Sequence, residues 1–399
     1  MAAHGRYNLL RKIADGGTAE VFLAHMEGSA GFKRLVVLKR VRPALWADEN
    51  FRRGLVDEAH IAMGLHHGNI VQVIDLGVAA QRYFLAFELV DGWTLSQILK
   101  RAKAANLPMP LSLVLYVMTE VCRGLSYAHS KTENGVPLAI VHRDVSPQNV
   151  LVGIDGRVRI ADFGVARAVM RITKTKTGQI KGKLGYFSPE QAVGSEVDRR
   201  SDVFSLGIVA WELLAGKRLF RAKQLLDVYK KIVLEDVQSL AEVAPHVPAG
   251  LVDAVMCALK RNPAERFPDA ASFADALRAG AMEAGRLPNS DEIAEFVWRY
   301  GGEEVGALVR AIERGDTGLN RLTTRAMLQL PHDRHAQLDL PTDEPPTMIN
   351  ERSEAGSDST ADAPRPAAAV AGPPSVVVEP QRSGVFERLS SWLARLFRS

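Results

Sequence analysis

Three oxygen-bearing side chains define the chemistry this sequence could carry out. The stretch His142-Arg143-Asp144-Val145-Ser146-Pro147-Gln148-Asn149 is followed, thirteen residues after Asn149, by Asp162-Phe163-Gly164, with strand-like segments between. Asp144 is a carboxylate able to accept a proton from a hydroxyl. Asn149 and Asp162 offer an amide oxygen and a carboxylate, hard ligands suited to a cation that takes few groups from protein. Phosphoryl transfer needs an oriented acceptor hydroxyl, a held triphosphate and bound magnesium, and this stretch supplies several of those parts. Read alone, His-Arg-Asp also suits a solvated turn, so the elements around it decide.

Such groups have to be positioned by rigid elements, and the chain provides a series of them. Ile13 to Phe22 sets Gly16 and Gly17, with their freedom at positive φ, between two strand-like runs. Val36-Val37-Leu38-Lys39 is an apolar strand ending in a lysine, and a helix-like segment runs from Asp48 to Leu65. Tyr83 to Val90 is a dense apolar and aromatic run broken by Glu88, after which Asp91-Gly92 turns the chain. From Leu111 to Ser130 apolar residues recur at helical spacing, whereas Lys131 to Leu138 is polar and suits a surface loop. Ser201 to Leu214 opens another apolar helix, in which Ser201 or Asp202 could serve as N-cap.

In this order the stretches resemble the protein kinase family, from about Arg6 to Leu277. The resemblance implies an α+β, bilobal fold with a β-rich N-lobe and an α-helical C-lobe. It also implies a Ser/Thr protein kinase using ATP with Mg²⁺ or Mn²⁺. Ile13, Ala14, Asp15, Gly16, Gly17, Thr18, Ala19, Glu20 and Val21 would form the glycine-rich loop, with Ala14 and Ala19 where the family has glycines. Lys39 would hold the α- and β-phosphates and pair with Glu58. The Glu88 carbonyl and Val90 amide would take adenine beside the gatekeeper Phe87, with Val21, Val37 and Leu151 sandwiching the ring. Asp144 would orient the acceptor hydroxyl, and Asn149 and Asp162 would hold the metal. Asp202 would brace the catalytic-loop backbone, and Arg266 would form a buried ion pair with Glu190. The Ser-Pro-Glu-Gln ending at Gln191 and the short lobes look like bacterial members.

Two departures from the family pattern bear on the chemistry. Ser146 stands two residues after Asp144, where Ser/Thr kinases carry lysine, and Lys183 stands five before Ser188, where they carry threonine. The pair reads as an exchange, with the Lys183 ammonium approaching the reacting centre from another backbone origin and Ser146 supplying the hydroxyl. Val165 to Phe187 carries six basic residues and no acidic one. A phosphate on Thr173, Thr175 or Thr177 would offset that charge and pair with Arg143, so activation by phosphorylation, including self-phosphorylation in trans, is expected. Two rival readings stay open. One is a pseudokinase that binds partners without catalysis; the other is a small-molecule phosphotransferase of the same fold, disfavoured by Ser188-Pro189-Glu190, which shapes a protein-substrate platform.

Composition agrees with a globular protein acting on protein Ser/Thr acceptors. Residues are 47 % hydrophobic, and a net charge of +4 over 399 residues carries little signal for nucleic acid. No apolar run reaches the roughly 18 residues of a membrane span, and Met1 to Lys12 lacks a signal-peptide core, so a cytoplasmic protein is expected. Cys122 and Cys257 have no metal-ligand spacing. The expected domains are a kinase domain at 6–278, a helical extension at 279–330, a disordered linker at 331–383 and an amphipathic helix at 384–399. The extension includes Asp291 to Glu313, amphipathic and suited to packing on the C-lobe or to docking. Eight of the twenty prolines fall between Pro341 and Pro380, a composition that cannot bury enough apolar area to order itself. Val385, Phe386, Leu389, Trp392, Leu393, Leu396 and Phe397 share one helical stripe flanked by arginines. That stripe suits an acidic membrane surface, a partner's groove or the kinase domain itself.

Overall fold

Alternation along the strands fixes two faces of an N-terminal sheet. In β1 (Ala3–His4), β2 (Tyr7–Asp15), β3 (Ala19–Glu27) and β4 (Lys33–Val41), Tyr7, Phe22, Ala24, Val36 and Leu38 bury on one side. Val37 and Lys39 alternate to the other. A short α1 (Pro43–Trp46) leads into α2 (Glu49–Met63), and β5 (Val73–Ala79) and β6 (Arg82–Glu88) complete an antiparallel sheet ordered β1-β2-β3-β4-β6-β5. On α2, Phe51, Leu55, Ala59 and Ala62 form one stripe that packs on Val73, Leu85 and Phe87. Each large side chain so buried contributes about 1.5–3 kcal/mol.

This computed structural model describes residues 3–4, 6–16, 19–46, 49–79, 82–105, 109–163, 184–282 and 290–299. The chain divides into two units, 1–332 and 333–399, and every described residue lies in the first. The expected linker, terminal helix, Gly17, Thr18, Thr173, Thr175, Thr177 and Lys183 lie outside the described residues.

After the Asp91 turn the chain becomes helical. β7 (Gly92–Thr94) passes into α3 (Leu95–Ala104), where Thr94 and Gln97 form a reciprocal capping box, and then α4 (Leu111–His129). Lys131 to Leu138 is not an irregular loop: β8 (Thr132–Glu133) and β9 (Val136–Pro137) pair across Asn134-Gly135, both at positive φ, as a two-residue hairpin turn requires. β10 (Val150–Gly153) pairs with both β11 (Val158–Ile160) and β7, a small sheet beneath the first. Then come α5 (Pro189–Val193), α6 (Arg199–Ala215), α7 (Leu225–Val233), α8 (Leu240–Val243), α9 (Ala249–Ala258), α10 (Ala270–Met282) and α11 (Ser290–Val297). Met118, Leu125, Phe204, Trp211 and Phe273 are fully buried where α4, α6 and α10 meet. The N-cap of α6 is Asp198, whose carboxylate accepts from the Arg200 amide at 2.8 Å, so Asp202 is left for other work.

Candidate active site

The lobes meet around a cavity of about 250 Å³ lined from above by Ile13, Ala14, Val21, Val37 and Lys39, and from below by Asn149, Leu151, Ala161 and Asp162. Its back carries Phe87, Glu88, Leu89, Val90, Asp91 and Gly92. Strand alternation explains which expected residues of the glycine-rich stretch reach it. Ala14 and Val21 face the cavity, so Asp15 and Glu20, each one residue away, face the other side. There Glu20 meets Lys12 at 2.7 Å, Arg40 at 2.8 Å and Arg82 at 3.5 Å, while Asp15 pairs with Lys12 at 2.5 Å and with Arg42. The hydrogen bond from Lys12 leads the effects that pull the Glu20 carboxyl down to about 2. The expectation that Asp15 and Glu20 line the cleft is therefore corrected, and Ala19, on the Val21 side of its strand, is not among the lining residues either. Gly16 contributes the turn, its amide donating to Ala19 O at 3.0 Å and its carbonyl accepting from Arg42 at 2.7 Å.

Lys39 extends to the Asp162 carboxylate and lies 5.1 Å from the centre of the Phe87 ring. The expected pair with Glu58 is not among the ion pairs of the described residues. α2 instead turns Glu58 toward a small pocket of about 70 Å³ shared with Leu65, Ile140, His142 and Phe163. Asp162 has φ +68°, in the left-handed region, and its carboxylate takes the ammonium.

The catalytic loop is tied down by backbone and side-chain bonds. Buried Asp202 accepts from the His142 amide and the Arg143 amide, both at 2.8 Å, and from His129 Nε2 at 2.8 Å. Burial pushes the Asp202 carboxyl up, but the bond from His129, the histidine charges and the His142 amide together hold it below the usual range. The expected brace is thus observed, with His129 as a third partner that nothing local in the sequence marks. His142 Nδ1 accepts from the Asp144 amide at 3.2 Å, leaving Nε2 to donate to Ala161 O at 2.9 Å. Its ring stands edge-on to Phe163, with centroids 4.5 Å apart. Asn149 Nδ2 donates to both Asp144 Oδ2 and Asp144 O at 2.8 Å. Ser146 is 1 % exposed, and its Oγ has no hydrogen-bond partner among the described residues.

Below the loop, Ser188 and Gln191 form a capping box, with Pro189 at the first helical position of α5. Gln191 Nε2 also donates to Arg143 O at 2.9 Å, a link legible only in part from the Ser-Pro-Glu-Gln spacing. The expected Glu190–Arg266 pair is present and two-pronged, both bonds at 2.8 Å, with the guanidinium 4.7 Å from the Phe204 ring centre. Burial pushes the Glu190 carboxyl up, yet hydrogen bonds and charge from Arg266, with the Ser201 hydroxyl, hold it below the usual range. Trp93, Thr94 and Gln97 complete the cavity floor and were not expected there.

The donor set fits a magnesium nucleotide. Both Asn149 amide bonds come from Nδ2, which leaves Oδ1 as a hard oxygen ligand, and Asp162 adds a carboxylate. The apolar faces of Val21, Val37 and Leu151 suit a flat ring between them.

The family profile described as "Protein kinase domain" matches residues 7–277. The chain is 40 % identical over 306 residues to "Tyrosine-protein kinase MasK" of Myxococcus xanthus, covering 75 % of this chain and 47 % of that protein. It is 36 % identical over 278 residues to "Serine/threonine-protein kinase PknL" of Mycobacterium tuberculosis, covering 70 % and 66 %. With "Serine/threonine-protein kinase PrkC" of Bacillus subtilis it shares 32 % over 283 residues, covering 71 % and 41 %. The chain thus spans between two fifths and two thirds of these relatives. The crystal structure of the Mycobacterium tuberculosis PknI kinase domain superposes with a TM-score of 0.54 at 29 % identity, covering 70 % of this chain and 98 % of that one. A lobed cleft with this loop at its mouth, and a profile that matches most of the chain, lead to one assignment: the chain belongs to the protein kinase family.

Proposed function

We propose that the chain is an active protein kinase that transfers the γ-phosphoryl group of ATP to Ser or Thr hydroxyls of proteins. The observation that carries the reading is the held state of Asp144, whose Oδ2 accepts from Asn149 in a loop anchored by Asp202. One carboxylate oxygen is thereby fixed, so the group can orient an acceptor hydroxyl and take its proton without first reorganising. Lys39 offers a cation at the cleft wall for phosphate oxygens, and Asn149 and Asp162 would hold Mg²⁺ or Mn²⁺. Bound metal would offset charge on the transferring phosphoryl group. The Glu88 carboxylate accepts from the Gln72 amide at 3.0 Å, so its backbone carbonyl, with the Val90 amide, is what it offers adenine.

Lys39, Asn149 and Asp162 in one cleft, with Asp144 bonded to Asn149, speak against a non-catalytic scaffold. The bacterial Ser/Thr kinase relatives and the Ser188–Gln191 platform favour a protein acceptor over a small molecule. A second reading, tyrosine as acceptor, is favoured by the name of the 40 % identical relative and by Ser146 in place of the lysine of Ser/Thr kinases. Phosphorylation at Thr173, Thr175 or Thr177, in trans between copies, and membrane or partner binding by Val385 to Phe397 belong to the same proposal. Among the described residues no helix is long and apolar enough to cross a membrane. Phosphoamino-acid analysis of a mixed protein acceptor labelled by the full chain with Mg²⁺ and ATP decides the acceptor. Phosphoserine and phosphothreonine are expected, whereas phosphotyrosine alone would install the second reading.

A further inference from the structure

The last described helix, α11, begins at Ser290, beyond residue 277 where the family match ends, and packs back against β10. Ile293 and Val297, four residues apart, are 2 % and 0 % exposed, while Asp291 and Glu295 face solvent. The contact is close. Gly156, in the turn between β10 and β11, has φ +75°, and a Cβ there would stand 1.8 Å from Ser290 O and 3.1 Å from the Ala294 amide. No side chain fits between this turn and the first turn of α11.

The far side of the same turn is bonded to the hinge. Gly156 N donates to Gly153 O at 3.0 Å, Gly153 N to Arg157 O at 2.8 Å, and Ile154 N to Asp91 O at 2.8 Å. Strand β10 pairs Gly153 with Gly92, Val152 with Trp93 and Leu151 with Thr94. Leu151, Asp91 and Gly92 line the cleft. A continuous run of backbone contacts therefore joins Ser290 to the wall of the cavity. An isolated helix of this length is unstable in water, since fewer than about 12–15 residues rarely hold together alone. The order of α11 thus depends on its seat, and anything that unseats it acts at one end of that run.

We propose that α11 is a positioning element for the nucleotide. Docked on the Gly156 turn, it holds β10 and the Asp91–Gly92 hinge in the arrangement that grips ATP, and its release weakens nucleotide binding. The segment following the catalytic unit thereby gains control of the cleft without entering it. The inference rests on the reading of the cleft as a nucleotide site. Coupling of this kind is reciprocal, so bound nucleotide must also steady the helix.

The dissociation constant of a fluorescent ATP analogue, measured on the full chain, tests this. Ile293→Asp with Val297→Asp removes the buried stripe, and Gly156→Ala pushes on Ser290 directly. Gly135→Ala is the control, because Gly135 has a similar φ of +80° but nothing within 4 Å of the added Cβ. Both α11 variants are expected to bind the analogue about 5-fold or more weakly, the lower end of usual coupling between sites, with the control unchanged. A folded fraction f alone raises the apparent constant by 1/f, so the folded fraction of each variant is read from urea unfolding and its constant corrected for it before comparison. Hydrogen exchange on the unsubstituted chain adds a second reading, with amides 290–297 expected to slow when the analogue saturates the cleft. Variants that bind within twofold of the parent, or no slowing in a chain that binds, would overturn the inference. A parent chain that binds no analogue would instead overturn the reading of the cleft.

Discussion

Arg143 and Asp162 flank the reacting centre with φ +65° and +68°, conformations that residues other than glycine seldom adopt. Such strain persists where the surroundings over-determine it, and Asp202 does so for Arg143 by accepting its amide at 2.8 Å. Asp202→Asn keeps the shape but replaces one of two acceptor oxygens with a donor, leaving buried amide hydrogens unsatisfied. Urea unfolding should show a loss of about 1–3 kcal/mol, the cost of such groups, together with a fall in kcat. Ser146 raises a different question, since its buried hydroxyl has no partner among the described residues, two residues along the chain from the Asp144 that would take the substrate proton. If Lys183 serves the position from which Ser146 displaced a lysine, Lys183→Thr should lower kcat by about 10²–10³-fold, the scale for one electrostatic donor. Adding Ser146→Lys should then restore much of the loss, a strongly non-additive cycle in steady-state kinetics. A single change that leaves kcat at the parent's value would remove Lys183 from the chemistry.

Between elements, the Glu190–Arg266 pair joins α5 to the segment before α10, and both partners are largely buried. Arg266→Met should destabilise the fold by about 3–5 kcal/mol, because it leaves a buried carboxylate without its cation. The pH dependence follows from the sign of the shift. In the parent, the Glu190 carboxyl lies below its ordinary 4.5, so the pair's contribution is complete above that value and is lost as pH falls through the lowered one. In the variant, burial, the largest of these effects, is opposed only by the Ser201 hydroxyl and a backbone bond, so the carboxyl is expected above 4.5 and stability is lost as pH rises through the raised value. Urea midpoints from pH 3.5 to 7 would show the reversed slope. The hinge offers a second test: a Cβ at Gly92 would stand 2.1 Å from Val152 O, backbone against backbone. Gly92→Ala should therefore cost about 1–3 kcal/mol, as overpacking does, and weaken nucleotide binding.

Across the molecule, much of the site was legible because its members sit at fixed intervals on strongly patterned elements. Lys39 follows three apolar residues within β4, and Asp144, Asn149 and Asp162 lie in one stretch where β10 and β11 leave little freedom. Other features escaped for physical reasons. Lys39 and Asp162 are 123 residues apart, and nothing local says which carboxylate, Asp162 or Glu58, the ammonium will meet. A register shift in the β2–β3 pairing between Lys12 and Ala14 brings the consecutive Ile13 and Ala14 both to the cleft, so alternation counted from Ile13 puts Asp15 on the wrong side. Trp93 and Gln97 line the cleft only because β7 pairs with β10, a contact between distant segments. The Asn134-Gly135 hairpin, by contrast, carried its signal openly in the turn residues. Single-turnover transfer of label from ATP to a protein acceptor, by the parent and by Asp144→Asn with nucleotide affinity measured on both, tests the central claim most directly. The parent should transfer and the variant should lose about 10²–10⁴-fold in rate, the span for a positioned base, while binding nucleotide as before. A variant as fast as the parent, or a parent that binds nucleotide and transfers nothing, would contradict it.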